Sequence, residues 1–182
     1  MKITSDSLYG NRMWIPGWQE MECQEPQMVC FRIIVYSENI PEQAVMRISA
    51  DSRYKLYIND RFIQEGPCKA NGGNWYYDEC RVASWLEDGA NCIAVEVLRY
   101  PADFAKRNHS ILRSSLPFLM VTVTVEGSEI SVWPERFSKC SGWKCFHNRS
   151  VHVLGEQTVP APLHITADSQ GDPRLAGWRR CV

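Results

Sequence analysis

Two segments, Ile48 to Pro67 and Trp85 to Val97, carry a period-two pattern that restricts this chain to β structure. From Tyr54 onward, Tyr54, Leu56 and Ile58 fall on one face and Lys55, Tyr57 and Asn59 on the other, as in a half-buried strand. Asn tolerates a positive φ and Asp is a turn former, so Asn59-Asp60 predicts a two-residue reversal into Arg61 to Gln64. Gly66-Pro67 then ends the hairpin. Asp88-Gly89 repeats the device before Ile93, Val95 and Val97 alternate again.

Elsewhere the same reading predicts strands over Met28 to Tyr36, Ala44 to Ala50, Arg53 to Asn59, Phe62 to Gln64, Cys92 to Leu98, Phe118 to Val125 and Glu129 to Trp133. The face made by Leu119, Val121, Val123 and Val125 is the most apolar stripe, as expected of a central core strand, and Glu126-Gly127-Ser128 reads as the turn that follows. Ala83 to Glu87 predicts one helical turn stopped by Gly89. Leu98 to Leu116, with Tyr100-Pro101 and a cluster of Lys106, Arg107 and His109, predicts a long loop. Many short strands punctuated by Gly and Pro define an all-β chain, an antiparallel β-sandwich or jelly roll.

Composition limits the partners. A chain of 182 residues, 45% hydrophobic and 23% charged, can bury an ordinary core as one domain plus an appendage. A net charge of -1 provides no basic block for nucleic acid or a membrane surface. The first twenty residues contain Asp6, Arg12 and Glu20 without a continuous apolar run, so neither a signal peptide nor a membrane span is expected there. The eight cysteines form no C-x-x-C pair and read as buried free thiols, which suits a reducing cytoplasm. Cys140, Cys145, His147 and His152 offer four soft ligands in one short segment, yet a strand alternating Cys145 and His147 explains the same letters, so no metal or cofactor is expected. No nucleophile elbow, phosphate loop or His-Glu-x-x-His occurs.

The stretches Ala50-Asp-Ser-Arg-Tyr54, Leu56-Tyr-Ile-Asn59, Gly66-Pro67, Tyr77-Asp78 and Leu86-x-x-Gly89-x-Asn91-x-Ile93-Ala-Val95-x-Val97 resemble the N-terminal sugar-binding-like β-sandwich of bacterial α-L-rhamnosidases and related glycoside hydrolases. Asp60 departs from that pattern where a turn glycine is usual, and Arg81 stands where an Asp is common. The resemblance implies a galactose-binding-domain-like sandwich over residues 1–135, with residues 136–182 as a linker and the truncated start of a following β-region. Ser141 to Cys145 resembles the strand after that sandwich, and Gly171 to Trp178 the connection to the next β-domain. Catalysis in such enzymes belongs to a separate helical barrel with two carboxylates, so the resemblance implies a non-catalytic module with a catalytic domain downstream in the same polypeptide. Its two possible roles are binding a rhamnose-containing glycan and packing against the barrel without touching sugar.

For sugar contact the segment Gly66 to Tyr77 and the residue after it offer the right groups. Sugar sites combine flat aromatic faces with planar amides and carboxylates. Trp75 and Tyr76 supply the rings, and Asn71, Asn74 and Asp78 the polar groups. The competing reading is a strand with Trp75 and Tyr77 packed inward, its glycines merely turning the chain. Trp14 and Trp18 read as core anchors.

Overall fold

Alternation along the strands builds two facing sheets. The computed structural model describes residues 12–18, 26–38, 40, 42–68, 75–101, 113–126, 142–148, 153–154, 157–158 and 179–180. Its strands are β1 (Arg12–Met13), β2 (Gln27–Ser37), β3 (Gln43–Ala50), β4 (Arg53–Ile58), β5 (Arg61–Gly66), β6 (Asp78–Arg81), β7 (Gly89–Arg99), β8 (Leu119–Glu126), β9 (Lys144–Asn148), β10 (Val153–Leu154), β11 (Gln157–Thr158) and β12 (Arg179–Arg180). One sheet runs β1-β8-β3-β6 and the other β12-β9-β2-β7-β4-β5, with β10 and β11 pairing separately. Every pairing is antiparallel. The expected β-sandwich is therefore the observed fold. No helix among the described residues is long and apolar enough to cross a membrane.

The core lies where the two inner faces meet. Phe31, Ile33, Leu56, Ile58, Val95 and Val97 from the larger sheet face Met46, Ile48, Leu119 and Val121 from the smaller, all fully buried or nearly so. β8 lies between β1 and β3, in the interior position its apolar stripe predicts. Trp14 joins the core, its ring 5.6 Å from that of Phe31. The longest pairing joins β2 to β7 residue for residue from Gln27↔Arg99 to Ser37↔Gly89, which is why β7 begins earlier than the expected Cys92.

Lys144–Asn148, expected past the sandwich, forms β9 and pairs with β2 from Met28↔Asn148 to Arg32↔Lys144. Trp143 and Cys145 thereby enter the core, since Cys145 opposes Phe31 on the inward face. The sandwich thus draws a strand from beyond residue 135. The strand expected over Glu129 to Trp133, together with Asn71, Asn74, Cys140 and His152, lies outside the described residues.

Turn chemistry accounts for the two motif segments. Asn59 and Asp60 have φ of 49° and 61°, so both central residues of the hairpin take the left-handed conformation that a tight reversal needs, even without glycine. Asn59 also works at a distance. Its amide donates to Asn91 Oδ1 at 2.9 Å, and its oxygen accepts from the Cys92 backbone at 2.9 Å. Asn91, fully buried, closes the second turn through the Glu87 N–H at 2.8 Å and the Glu87 carbonyl at 2.7 Å. The two asparagines join the two halves of the pattern. Ala83–Trp85 forms the expected turn as a 3₁₀ helix.

Asp51 occupies the crossover between β3 and β4. Its carboxylate pairs with Arg99 and accepts from Ser114 N at 3.0 Å, Ser114 Oγ at 2.7 Å and Ser52 Oγ at 3.0 Å. The side chains of Asp51 and Arg99 are 0% and 2% exposed. Burial pushes the Asp51 carboxyl above its ordinary range, against the pull of Arg99 and Ser114. Removing one partner strands the other as an unpaired buried charge, so Asp51→Ala should lower unfolding stability by about 3–5 kcal/mol. Denaturant titration against the parent chain checks this, and a loss below about 1 kcal/mol contradicts it.

Candidate functional site

Of the residues expected to meet sugar, Trp75, Tyr76 and Asp78 are among those described, and the side chains of Trp75 and Asp78 lie apart. Ser49 donates to the Tyr76 backbone carbonyl at 2.7 Å and accepts from Trp75 Nε1 at 3.0 Å, which fixes the Trp75 ring over the outer face of the smaller sheet. The half-buried Trp75 ring stands edge-on to Phe118, with centroids 5.1 Å apart. Asp78 points the other way. It opposes Ile48 on β3 and so faces the larger sheet across the edge of the sandwich. Tyr77, between them, is buried beneath the guanidinium of Arg47.

Asp78 forms a bridge between the sheets. Tyr54, on the inner face of β4, donates its hydroxyl to Asp78 Oδ2 at 2.7 Å and accepts from Gln64 Nε2 at 2.7 Å. Cys68 N donates to Asp78 Oδ1 at 3.1 Å. Burial, then the bonded Asp78 carboxylate, holds the Tyr54 hydroxyl far above its ordinary pKa, so it remains a donor. Gly66 makes the approach possible: a Cβ there would lie 2.1 Å from Asp78 Oδ2 and 2.8 Å from the Tyr54 ring. The glycine and the Tyr-Asp pair of the motif thus answer to one contact.

Beside this bridge opens a depression of about 540 Å³ that the sequence reading did not anticipate. It is lined by Arg53, Lys55, Glu65, Glu96 and Asp78, over an apolar part made by Met28, Leu98 and Pro67. A smaller hollow of about 380 Å³ adjoins it through Glu65, Cys68 and Asp78. Register explains the grouping, because Glu96, Lys55 and Glu65 stand directly opposite one another on β7, β4 and β5. The signal in the sequence was the polar face of β4, but neither the order of strands nor the place of Glu96 within the apolar run Cys92 to Leu98 can be read from one segment.

Glu96 is the unusual member. Only 7% exposed, it lies among Met28, Cys30 and Leu98 on the outward side of the larger sheet. Tyr57 donates to its Oε2 at 3.2 Å. Burial raises the Glu96 pKa, while the Tyr57 hydrogen bond and Lys55 oppose the rise. The Tyr57 hydroxyl is pushed up to about 12, by burial first and then by Glu96.

Among the described residues no group of three or more His, Cys, Asp or Glu side chains is placed to hold a metal ion. Cys30, Cys92 and Cys145 are buried, Cys80 is partly covered and Cys68 is exposed. Burial raises the Cys30 thiol well above its ordinary value and the Cys92 thiol to about 11.

The class of molecule these features define is a two-layer antiparallel β-sandwich with a mixed-charge hollow on one outer face. Among solved structures, the sandwich fold is found in segments of α-L-rhamnosidases. A GH78 family rhamnosidase of Bacillus sp. GL1 superposes with a TM-score of 0.57 at 23% identity, covering 79% of this chain and 14% of the enzyme. The Streptomyces avermitilis α-L-rhamnosidase, whose structure is in complex with L-rhamnose, superposes with a TM-score of 0.56 at 17% identity, covering 99% of this chain and 15% of the enzyme. The chain therefore shares the fold of a segment of these enzymes and spans about a seventh of their length. No protein-family model matches the chain, and no curated protein matches it.

Two outcomes follow from the contacts. Gly66→Ala should cost about 1–3 kcal/mol of stability, since the added methyl must push Asp78 from Tyr54. Tyr54→Phe frees Asp78 to move but keeps the ring, so it should lessen that cost in part in a double-mutant cycle followed by thermal melting, and strict additivity would show that the two sites are independent. For Glu96 the raised pKa means that the folded state holds the proton more tightly than the unfolded chain. The resulting stability is complete below the ordinary value of 4.5 and is lost as pH rises through the elevated one. Glu96→Gln mimics the protonated form, so it should melt higher than the parent at neutral pH and converge with it in acid. A constant difference across the pH range contradicts this.

Proposed function

We propose that this chain is a non-catalytic accessory module of an α-L-rhamnosidase-like glycoside hydrolase, and that its work there is to bind carbohydrate. The observation that carries the reading is the hollow beside Asp78, of a size suited to a small ligand and lined by apolar and hydrogen-bonding side chains together. The likeness to a short segment of two rhamnosidases supports the accessory role. Cleavage of the glycosidic bond is assigned to a catalytic domain elsewhere in the same polypeptide. A rhamnose-containing glycan is the proposed ligand class, and a cytoplasmic location, which the cysteine usage supports, belongs to the same reading.

A second reading has its own support. Trp75 is held edge-on to Phe118 with its indole N–H committed to Ser49, and both oxygens of Asp78 accept hydrogen bonds from the protein itself. Tyr36 and Phe62 are at the same time 69% and 52% exposed on other strands. With the Trp75 and Asp78 polar groups already committed within the protein, the module suits packing against a neighbouring domain without sugar contact. Calorimetry of the purified chain against L-rhamnose and rhamnosylated oligosaccharides separates the two. Saturable heat without hydrolysis of an aryl rhamnoside is expected. Silence across the panel favours the packing module, and robust turnover by this chain overturns the accessory role.

A further inference from the structure

We propose that the row Glu96, Lys55 and Glu65, above the apolar floor of Met28 and Leu98, is the ligand-contacting surface of this domain and accepts one ring of an uncharged polyhydroxylated molecule. The inference rests on the carbohydrate reading and gives it a site, on a different sheet face from Trp75.

The argument begins with spacing. Lys55 is paired directly with Glu96 on one side and Glu65 on the other. Side chains in such positions have Cβ atoms roughly 5 Å apart on one face. The row therefore presents acceptor, donor and acceptor in sequence. A hydroxyl group both donates and accepts, so neighbouring hydroxyls on a ring can satisfy such a row. A multiply charged anion meets a carboxylate on either side of Lys55, and a cation meets the ammonium itself. The neutral ligand alone avoids both conflicts.

The groups differ in how free they are. Asp78 has an internal donor on each oxygen, and Arg53 turns Nη1 to the Pro67 carbonyl at 3.3 Å. Glu96 receives the Tyr57 hydroxyl on Oε2, and among the described residues nothing donates to its Oε1. Phe62 stands edge-on to Tyr57 with centroids 5.8 Å apart, which supports the ring behind the carboxylate. A carboxylate so deeply placed, with one oxygen anchored and the other open, is oriented before any ligand arrives. Met28 and Leu98, 7% and 9% exposed, give the C–H face of a ring an apolar surface in the same hollow. Its volume of about 540 Å³ accommodates a monosaccharide.

Calorimetric titration with L-rhamnose, D-galactose and D-glucose, alongside the charged D-glucuronate and D-glucosamine, tests the assignment. At least one neutral sugar should bind, and the two charged sugars should bind several-fold more weakly than it. Lys55→Met and Glu96→Leu should each weaken that binding about tenfold or more. Leu at 96 suits the apolar neighbours of that position, and Glu65→Gln on the exposed β5 serves as a third variant that spares the core. Trp75→Ala should leave the affinity within about twofold of the parent. If a sugar binds and only Trp75→Ala loses it, the site is wrong while the carbohydrate reading stands. Equal affinity for the charged sugars overturns the ligand class, and absence of heat with every sugar overturns the site and the carbohydrate reading together.

Discussion

The Asp51–Arg99 pair is the constraint on which the sandwich depends. Asp51 leaves β3 for β4, Arg99 ends β7, and Ser114 precedes β8, so a single carboxylate gathers three places where the chain passes between or out of the sheets. Backbone bonds reinforce the junction, from Asp51 N to the Phe118 carbonyl at 2.9 Å and from Ser52 N to the Leu98 carbonyl at 3.1 Å. The indole of Trp18 covers Arg99 at 5.1 Å and is itself held by Gln27 at 2.9 Å. A buried ion pair seldom adds much over a well-packed apolar replacement, but it is unforgiving of misplacement. Its contribution here is to fix how the two sheets are joined at that end.

The opposite requirement appears at the other sheet edge, where the layers must approach without a charge pair. Tyr54 and Asp78 close it with one neutral-to-charged hydrogen bond over Gly66. That bond locates β6 relative to β4 and thereby shapes the wall of the hollow where Glu65, Cys68 and Asp78 meet. Scaffold and site share these atoms. A substitution meant to probe one will move the other unless it is placed on Lys55 or Glu65.

Much of the fold was legible because its signals are local. Period-two alternation located β2, β3, β4 and β8 to within a residue or two, the Asn59-Asp60 turn marked the β4–β5 hairpin, and Asp88-Gly89 marked the start of β7. Asn91 and Asp51 were visible as parts of a pattern, but what they bond to spans 32 and 48 residues, distances over which no periodicity reports. The same limit governs the site. Adjacent letters placed Trp75 and Asp78 together, whereas a strand sends successive side chains to opposite faces and carried Asp78 into the gap between the sheets. Glu96 was hidden for a related reason, being one acid in a β7 that is otherwise largely apolar and covered on both faces. β9 joined the sandwich because Trp143 and Cys145 complete its core, a demand set by β2 and invisible in the five residues themselves.

β5 forms the outer boundary of the larger sheet, and its composition has a bearing on how the molecule behaves in company. An unpaired strand edge is a template for the edge of another molecule. Here the pairing slips between Leu56 and Tyr57, Arg61 and Glu65 place opposite charges along the strand, and Pro67 follows directly where a donor N–H would extend the ladder. Each device interrupts the regular row of donors and acceptors that a second chain would need. The hairpin that identifies this fold thus also guards it against edge-to-edge association, leaving the neighbouring hollow open to small solutes.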